Sequence, residues 1–447
     1  MKCRGFPVTP GRLLVFMAIL AGLTWFGVKT IPAILDSGLL EAVKRGSPYA
    51  VKVFTALGAD VSQVGENGST PLGTAARLGH WDLALHLIRN GADVNAEDRD
   101  GLTVLMRAAE RGHPRVVRTL LDLGAHTSTR NDQGVTPMKR AVDAGRADVV
   151  RLLLDRGADV DSPLDDCSTP LMWAVLAGDL RVVKLLLAKG ADVHAKAADD
   201  STALLWAAST GNPEMTELLK ASGAKTTLPI AAMLGDVREV RRLLDSGADV
   251  NELDGEGWTA LMNSAQRGHL NVVRLLLEHN ADLNAKRSDG TTALMDAVSS
   301  GHSEVAKLLL EKGADAEPYL PERRAFVPLA HAIRWGQIEM VRVLVDCVGG
   351  FDDTESLIKA VWMGQVDVVK LFLDKGADVN ARTPFYEETA LMVAIESGHM
   401  TVAKLLVDRG ADVNATDKRG RTASALAKKL GKIAMAELLK TRGGVVR

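Results

Sequence analysis

The chain has 447 residues, of which 47% are hydrophobic, 25% charged and only 4% aromatic, with 41 glycines and a formal net charge of -2. Residues 1–35 carry Lys2, Arg4, Arg12 and Lys29 and no acid, which leaves 50 basic and 56 acidic residues in the remainder. That balance lacks the basic excess of a phosphate-binding chain and argues against nucleic acid as a partner. The three cysteines, Cys3, Cys167 and Cys347, are too far apart in sequence to suggest a disulfide framework.

The first element is apolar. Leu13 to Val28 reads LLVFMAILAGLTWFGV, 16 residues without a charge, bounded by Arg12 and Lys29. This is longer than a usual signal-peptide core and short of the roughly 20 residues that span a bilayer comfortably. Small-x-small cleavage spacing is poor, because Ala18 is followed by Leu20 and Ala21 by Leu23 two residues on. The expectation is an uncleaved transmembrane anchor over residues 1–35. Secretion after signal-peptide cleavage is the alternative; a hydrophobic cap helix on the array is disfavoured by the polar flanks and the absence of the repeat pattern there. Three basic residues precede the segment and one follows it, so the positive-inside rule puts everything after it outside the cytoplasm, in the periplasm if the source is a double-membrane bacterium.

From about residue 36 a phrase recurs. Gly-Ala-Asp begins at Gly58, Gly91, Gly157, Gly190, Gly247, Gly313, Gly376 and Gly410, with variants at Gly124, Gly223 and Asn280, mostly in steps of 33. A fixed period of this size marks a stacked array. One unit, from Asp254, predicts two short amphipathic helices. The first has Leu261, Met262 and Ala265 on one face, and the second has Val272, Val273, Leu275, Leu276 and Leu277 apolar. Thr259 is placed to N-cap the first helix, and Gly268 to end it in the left-handed conformation. The equivalent glycine recurs from Gly46 to Gly431 and predicts 13 helix pairs over residues 36–447, with the outermost two as caps. Three steps break the period: Gly211 to Gly235, Gly301 to Gly336 and Gly336 to Gly364.

The segments TPLGTAARLGH at Thr70–His80 and TPLMWAVLAGD at Thr169–Asp179, with GADVNA at Gly91, Gly376 and Gly410, resemble the ankyrin repeat, and the resemblance runs from about Leu39 to about Arg442. It implies an all-α solenoid of stacked helix-turn-helix layers with β-hairpin tips. The family's TPLH histidine is replaced by Met106, Met172, Met262, Met295 and Met392, so packing of a thioether is expected where the family uses hydrogen bonds.

The resemblance also implies a partner-binding groove lined by first helices and tips, towards which the residue after the tetrad projects: Thr74, Arg107, Arg140, Trp173, Trp206, Ile230, Asn263, Asp296 and His331. Trp173 and Trp206 fall on adjacent layers beside Arg107 and Arg140, with Leu176, Ile230 and Met233 close by. Trp and Arg carry binding energy disproportionately, which makes these seven the candidate partner-binding residues. The competing reading has the tryptophans filling space between helices. Trp335 and Trp362, just before their glycines, form a second candidate.

No HExxH, paired CxxC, GxSxG or GxxxxGK occurs. The histidines that follow the inter-helix glycines, His80, His113, His269, His302 and His399, read as starts of second helices, not metal ligands. The sequence thus predicts a non-enzymatic scaffold for a protein partner, with the membrane reached through the N-terminal segment. It predicts no cofactor, no metal and no small-molecule substrate. The alternative is a spacer rod whose length, not its groove, is the function.

Overall fold

The computed structural model describes residues 31–65, 68–98, 100–164, 166–316, 328–348 and 354–444. The apolar segment Leu13–Val28 and the irregular stretch EPYLPERRAF lie outside them, as does the shortened connection at 349–353. Among the described residues no helix is long and apolar enough to cross a membrane.

The described helices alternate in pairs from Ile31–Lys44 and Pro48–Ala56 to Ala423–Lys429 and Ile433–Thr441. They fall into two compact units, Met1–Lys225 and Thr226–Arg447, divided in the stretch where one hairpin is missing from the sequence. Within each unit every first helix packs on the first helix of the next layer, and most second helices do the same.

Each pair is built by the same local rules. In Ala260–Arg267, the Thr259 side chain accepts from the Met262 N–H at 3.2 Å, and Gly268 ends the helix at φ 75°. Both roles were legible in the sequence. Leu261, Met262, Ala265, Val272, Val273, Leu275 and Leu276 are all buried, whereas Leu277 is only partly so. Burial of each large aliphatic side chain contributes roughly 1.5–3 kcal/mol, and these contacts join one layer to the next.

Two ladders of polar contacts run between layers. In the GADVN turn the asparagine reaches sideways. Asn251 Oδ1 accepts from Asp282 N at 2.9 Å, Asn284 from Asp315 at 3.0 Å and Asn380 from Asp412 at 2.8 Å. Asp161 does the same for Asp192 N at 2.9 Å, which gives that member of the acidic cluster a structural role.

The second ladder explains the Gly-His pairs. His269 and His302 cap nothing in their own helices. Instead the ring Nε2 of His302 lies 3.0 Å from the Gln266 carbonyl of the preceding layer, and His269 and His399 meet Met233 and Trp362 carbonyls at the same distance. A Cβ on Gly268 would sit 2.5 Å from His302 Nδ1. That position therefore needs glycine for the left-handed turn and also for the approach of the next layer.

The expected β-hairpin tips are reduced. No strand forms among the described residues, and the tips close through isolated bridges such as Glu97↔Thr103 and Leu253↔Thr259. Only five or six residues lie between bridge partners, and pairing stops at the single bridge. The methionines in the TPLH position are buried, as packing predicts. The tip's hydrogen bonding falls to an aspartate: Asp254 Oδ1 accepts from Glu256 N at 3.0 Å and from Trp258 N at 2.9 Å.

Candidate partner-binding face

Trp173, in Pro170–Leu176, and Trp206, in Ala203–Thr210, stand on first helices that pack side by side. Their rings meet edge to face, with centroids 5.8 Å apart and planes at 82°. The Trp173 indole N–H donates to Ser168 Oγ at 2.7 Å, and that buried hydroxyl donates to Asp166 Oδ1 at 2.5 Å. Lys139 Nζ lies 3.4 Å from the centroid of the Trp173 ring and is held by both Asp143 oxygens at 2.7 Å. An aromatic pair of this geometry contributes about 0.5–1.5 kcal/mol, and a cation over a ring a similar amount. Trp173 is thus fixed by three neighbours, while both tryptophans stay partly exposed. Leu176, one turn further on, is 50% exposed.

The two arginines differ. Arg107 is engaged within its own layer, with Nε 2.5 Å from Asp98 and Nη2 2.5 Å from Asp100. Burial opposes its charge, but the hydrogen bonds to Asp98 and Asp100 outweigh burial and raise its pKa. Arg140 makes one long contact, 3.5 Å to Glu110, and its buried Nε has no hydrogen-bond partner among the described residues. It is the freer of the two.

Ile230 and Met233 require a correction. They belong to the second unit, in the six-residue helix Leu228–Met233, and are 3% and 8% exposed. They fill the layer and present no apolar surface. Thr74, Asn263 and Asp296, in the same repeat position, are also buried. Short side chains there are enclosed where first helices pack, and only long ones such as Arg and Trp emerge.

The repeat geometry agrees with the sequence-family comparison. The model for ankyrin repeats (3 copies) matches residues 39–131, 75–164, 160–230, 228–319, 322–383 and 357–445. The chain belongs to the ankyrin-repeat family. Ankyrin repeats are generally protein–protein interaction modules, and proteins built from them are typically non-enzymatic scaffolds. A comparison with curated proteins finds no match. Among the described residues no group of three or more His, Cys, Asp or Glu is arranged to hold a metal ion.

Two features of this ankyrin array escaped the sequence reading. Lys139 stands where the TPLH pattern has its histidine, and it covers a Trp173 face. Phe385 and Tyr386, 81% and 53% exposed, stand on a tip whose bridge, Arg382↔Thr389, encloses one residue more than the others. The signal was present, since Gly364 to Gly398 is 34 residues and not 33.

Proposed function

We propose that the chain is a scaffold that holds a protein partner on the first-helix face of its first unit, centred on Trp173, Trp206 and Leu176, with Arg140 and then Arg107 at its edge. The observation that carries this reading is the edge-to-face tryptophan pair, preorganised by Ser168 and Lys139 yet partly exposed beside Leu176. A rigid aromatic anchor next to an exposed aliphatic side chain loses little entropy on binding and has the composition of an interface hot spot. The array would be tethered to a membrane by residues 13–28, on the extracytoplasmic side. An alkaline phosphatase fused to the C-terminus should then be active in intact bacteria, and an inactive fusion would reverse the orientation.

The spacer reading has one observation in its favour. Arg107 is saturated by two aspartates, and several residues of the same row are buried, so much of the row serves the fold itself. A photo-crosslinking amino acid at Leu176 separates the readings. A single adduct of defined mass in cells supports the groove. No adduct at Leu176, with function sensitive only to deletion of whole layers, supports the spacer.

A further inference from the structure

The second unit carries an exposed aromatic pair of its own. Trp335 follows the first helix Pro328–Arg334, and Trp362 ends the first helix Thr354–Trp362 of the next layer. The two helices pack on each other, and their tryptophans, 65% and 62% exposed, stand at the same end, next to the inter-helix turns. Tryptophan is rarely left so open on a soluble surface. Neither indole is required by its layer. The Trp335 and His331 ring centroids are 6.1 Å apart, and Trp362 contributes its backbone carbonyl to His399.

The charges nearest the pair on its own two helices are positive. Arg334 is exposed beside Trp335, and Lys359 lies one turn before Trp362. Neither is paired with a described anion. The acids of these layers are used elsewhere: Glu339 meets Arg342 at 3.5 Å and Asp346 meets Lys375 at 2.5 Å. Glu355 stands at the opposite end of its helix, and Asp367 lies in the first turn of a second helix, where the helix dipole favours it. On the same face the flanking layers offer Ser299 and Ser300 on one side. On the other they offer Glu396, already paired with Arg421 at 3.2 Å, and Ser397.

We infer that Trp335 and Trp362, flanked by Arg334 and Lys359, form a second docking site that takes an acidic peptide segment of a partner protein, an apolar side chain lying between the indoles and carboxylates meeting the two cations. Unpaired cations at the rim of an exposed aromatic pair steer and orient an anionic segment, and buried indoles then supply most of the affinity. The site is independent of the Trp173/Trp206 face, so either assignment stands or falls without the other.

The test is a selection. A random twelve-residue peptide library is selected on the full chain and depleted on the Trp335→Ala/Trp362→Ala variant. These side chains are largely outside the core, so the variant should keep the wild-type circular dichroism and melting temperature. The expected survivors carry an excess of Asp and Glu around a large apolar residue. A synthetic survivor should bind the Arg334→Glu/Lys359→Glu variant at least tenfold more weakly, and Trp173→Ala/Trp206→Ala as well as wild type. No surviving peptide, survivors without an acidic excess, or survivors indifferent to Arg334→Glu/Lys359→Glu would overturn the assignment.

Discussion

The capping threonines allow a matched pair of substitutions. Thr259 is 3% exposed, and its hydroxyl accepts the Met262 N–H at 3.2 Å. Thr227 occupies the equivalent place in the layer without a hairpin and makes no side-chain cap hydrogen bond. Thr259→Ala leaves a helical N–H without its partner and should cost about 1–2 kcal/mol. Thr227→Ala removes no such bond and should cost roughly 0.5 kcal/mol or less. A repeat array need not unfold in one step, so a global melt blurs the two losses. Native-state hydrogen exchange read by mass spectrometry resolves them, because Ala260–Arg267 and Leu228–Met233 report separately. Thr259→Ala should lower the exchange free energy over its helix by about 1–2 kcal/mol, and Thr259→Ser, which keeps the hydroxyl, should restore most of it. Equal losses at the two sites would refute the capping argument.

Three further outcomes are expected. Cys167 and Glu387 hold tip positions at φ 59° and 54°, where most tips have a left-handed glycine such as Gly101 or Gly257. Cys167→Gly and Glu387→Gly should each raise stability by about 0.5–1 kcal/mol in urea titration, since a left-handed L-residue is strained. Burial lifts the Asp296 carboxyl to about 7 from an ordinary 3.8, although Arg287 at 3.2 Å pulls it back. Between about pH 4 and 7 the folded state therefore binds more protons than the unfolded one, and stability falls as pH rises. Asp296→Asn should flatten that dependence, matching wild type near pH 4 and exceeding it above pH 7 by about 1–3 kcal/mol. His269 works in the opposite sense. Burial holds its pKa below 6.5, so its contribution is complete above that value and lost as the pH falls below it. His269→Gln should keep stability at pH 8 and lose less of it at pH 5.5, because Gln365 already donates to the Ile333 carbonyl from the same repeat position. A steeper loss for the glutamine variant would contradict this.

The fold was legible because its determinants are local and repeated. Thr259, Gly268 and the Val272–Leu276 face each act within a few residues, and the period of 33 multiplies a weak signal into a firm one. The site was less legible, because its geometry depends on neighbours in other layers. The position shared by Ile230 and Trp173 was read as groove-facing throughout, yet exposure there is set by side-chain length against the packing of two helices. The role of the histidines was hidden for the same reason: the carbonyl that His302 meets is 36 residues away. The engagement of Arg107 by Asp98 and Asp100 was hidden as well, since the tip must close before the fork finds both carboxylates.

The central claim is that Trp173 and Trp206 hold a partner. It is tested most directly by in-cell crosslinking capture, with the wild-type chain compared with Trp173→Ala/Trp206→Ala at equal expression. The account predicts one protein captured by the wild type and lost from the double variant while the array stays folded. The same protein captured equally by both would contradict it and leave the tryptophan pair as packing between layers.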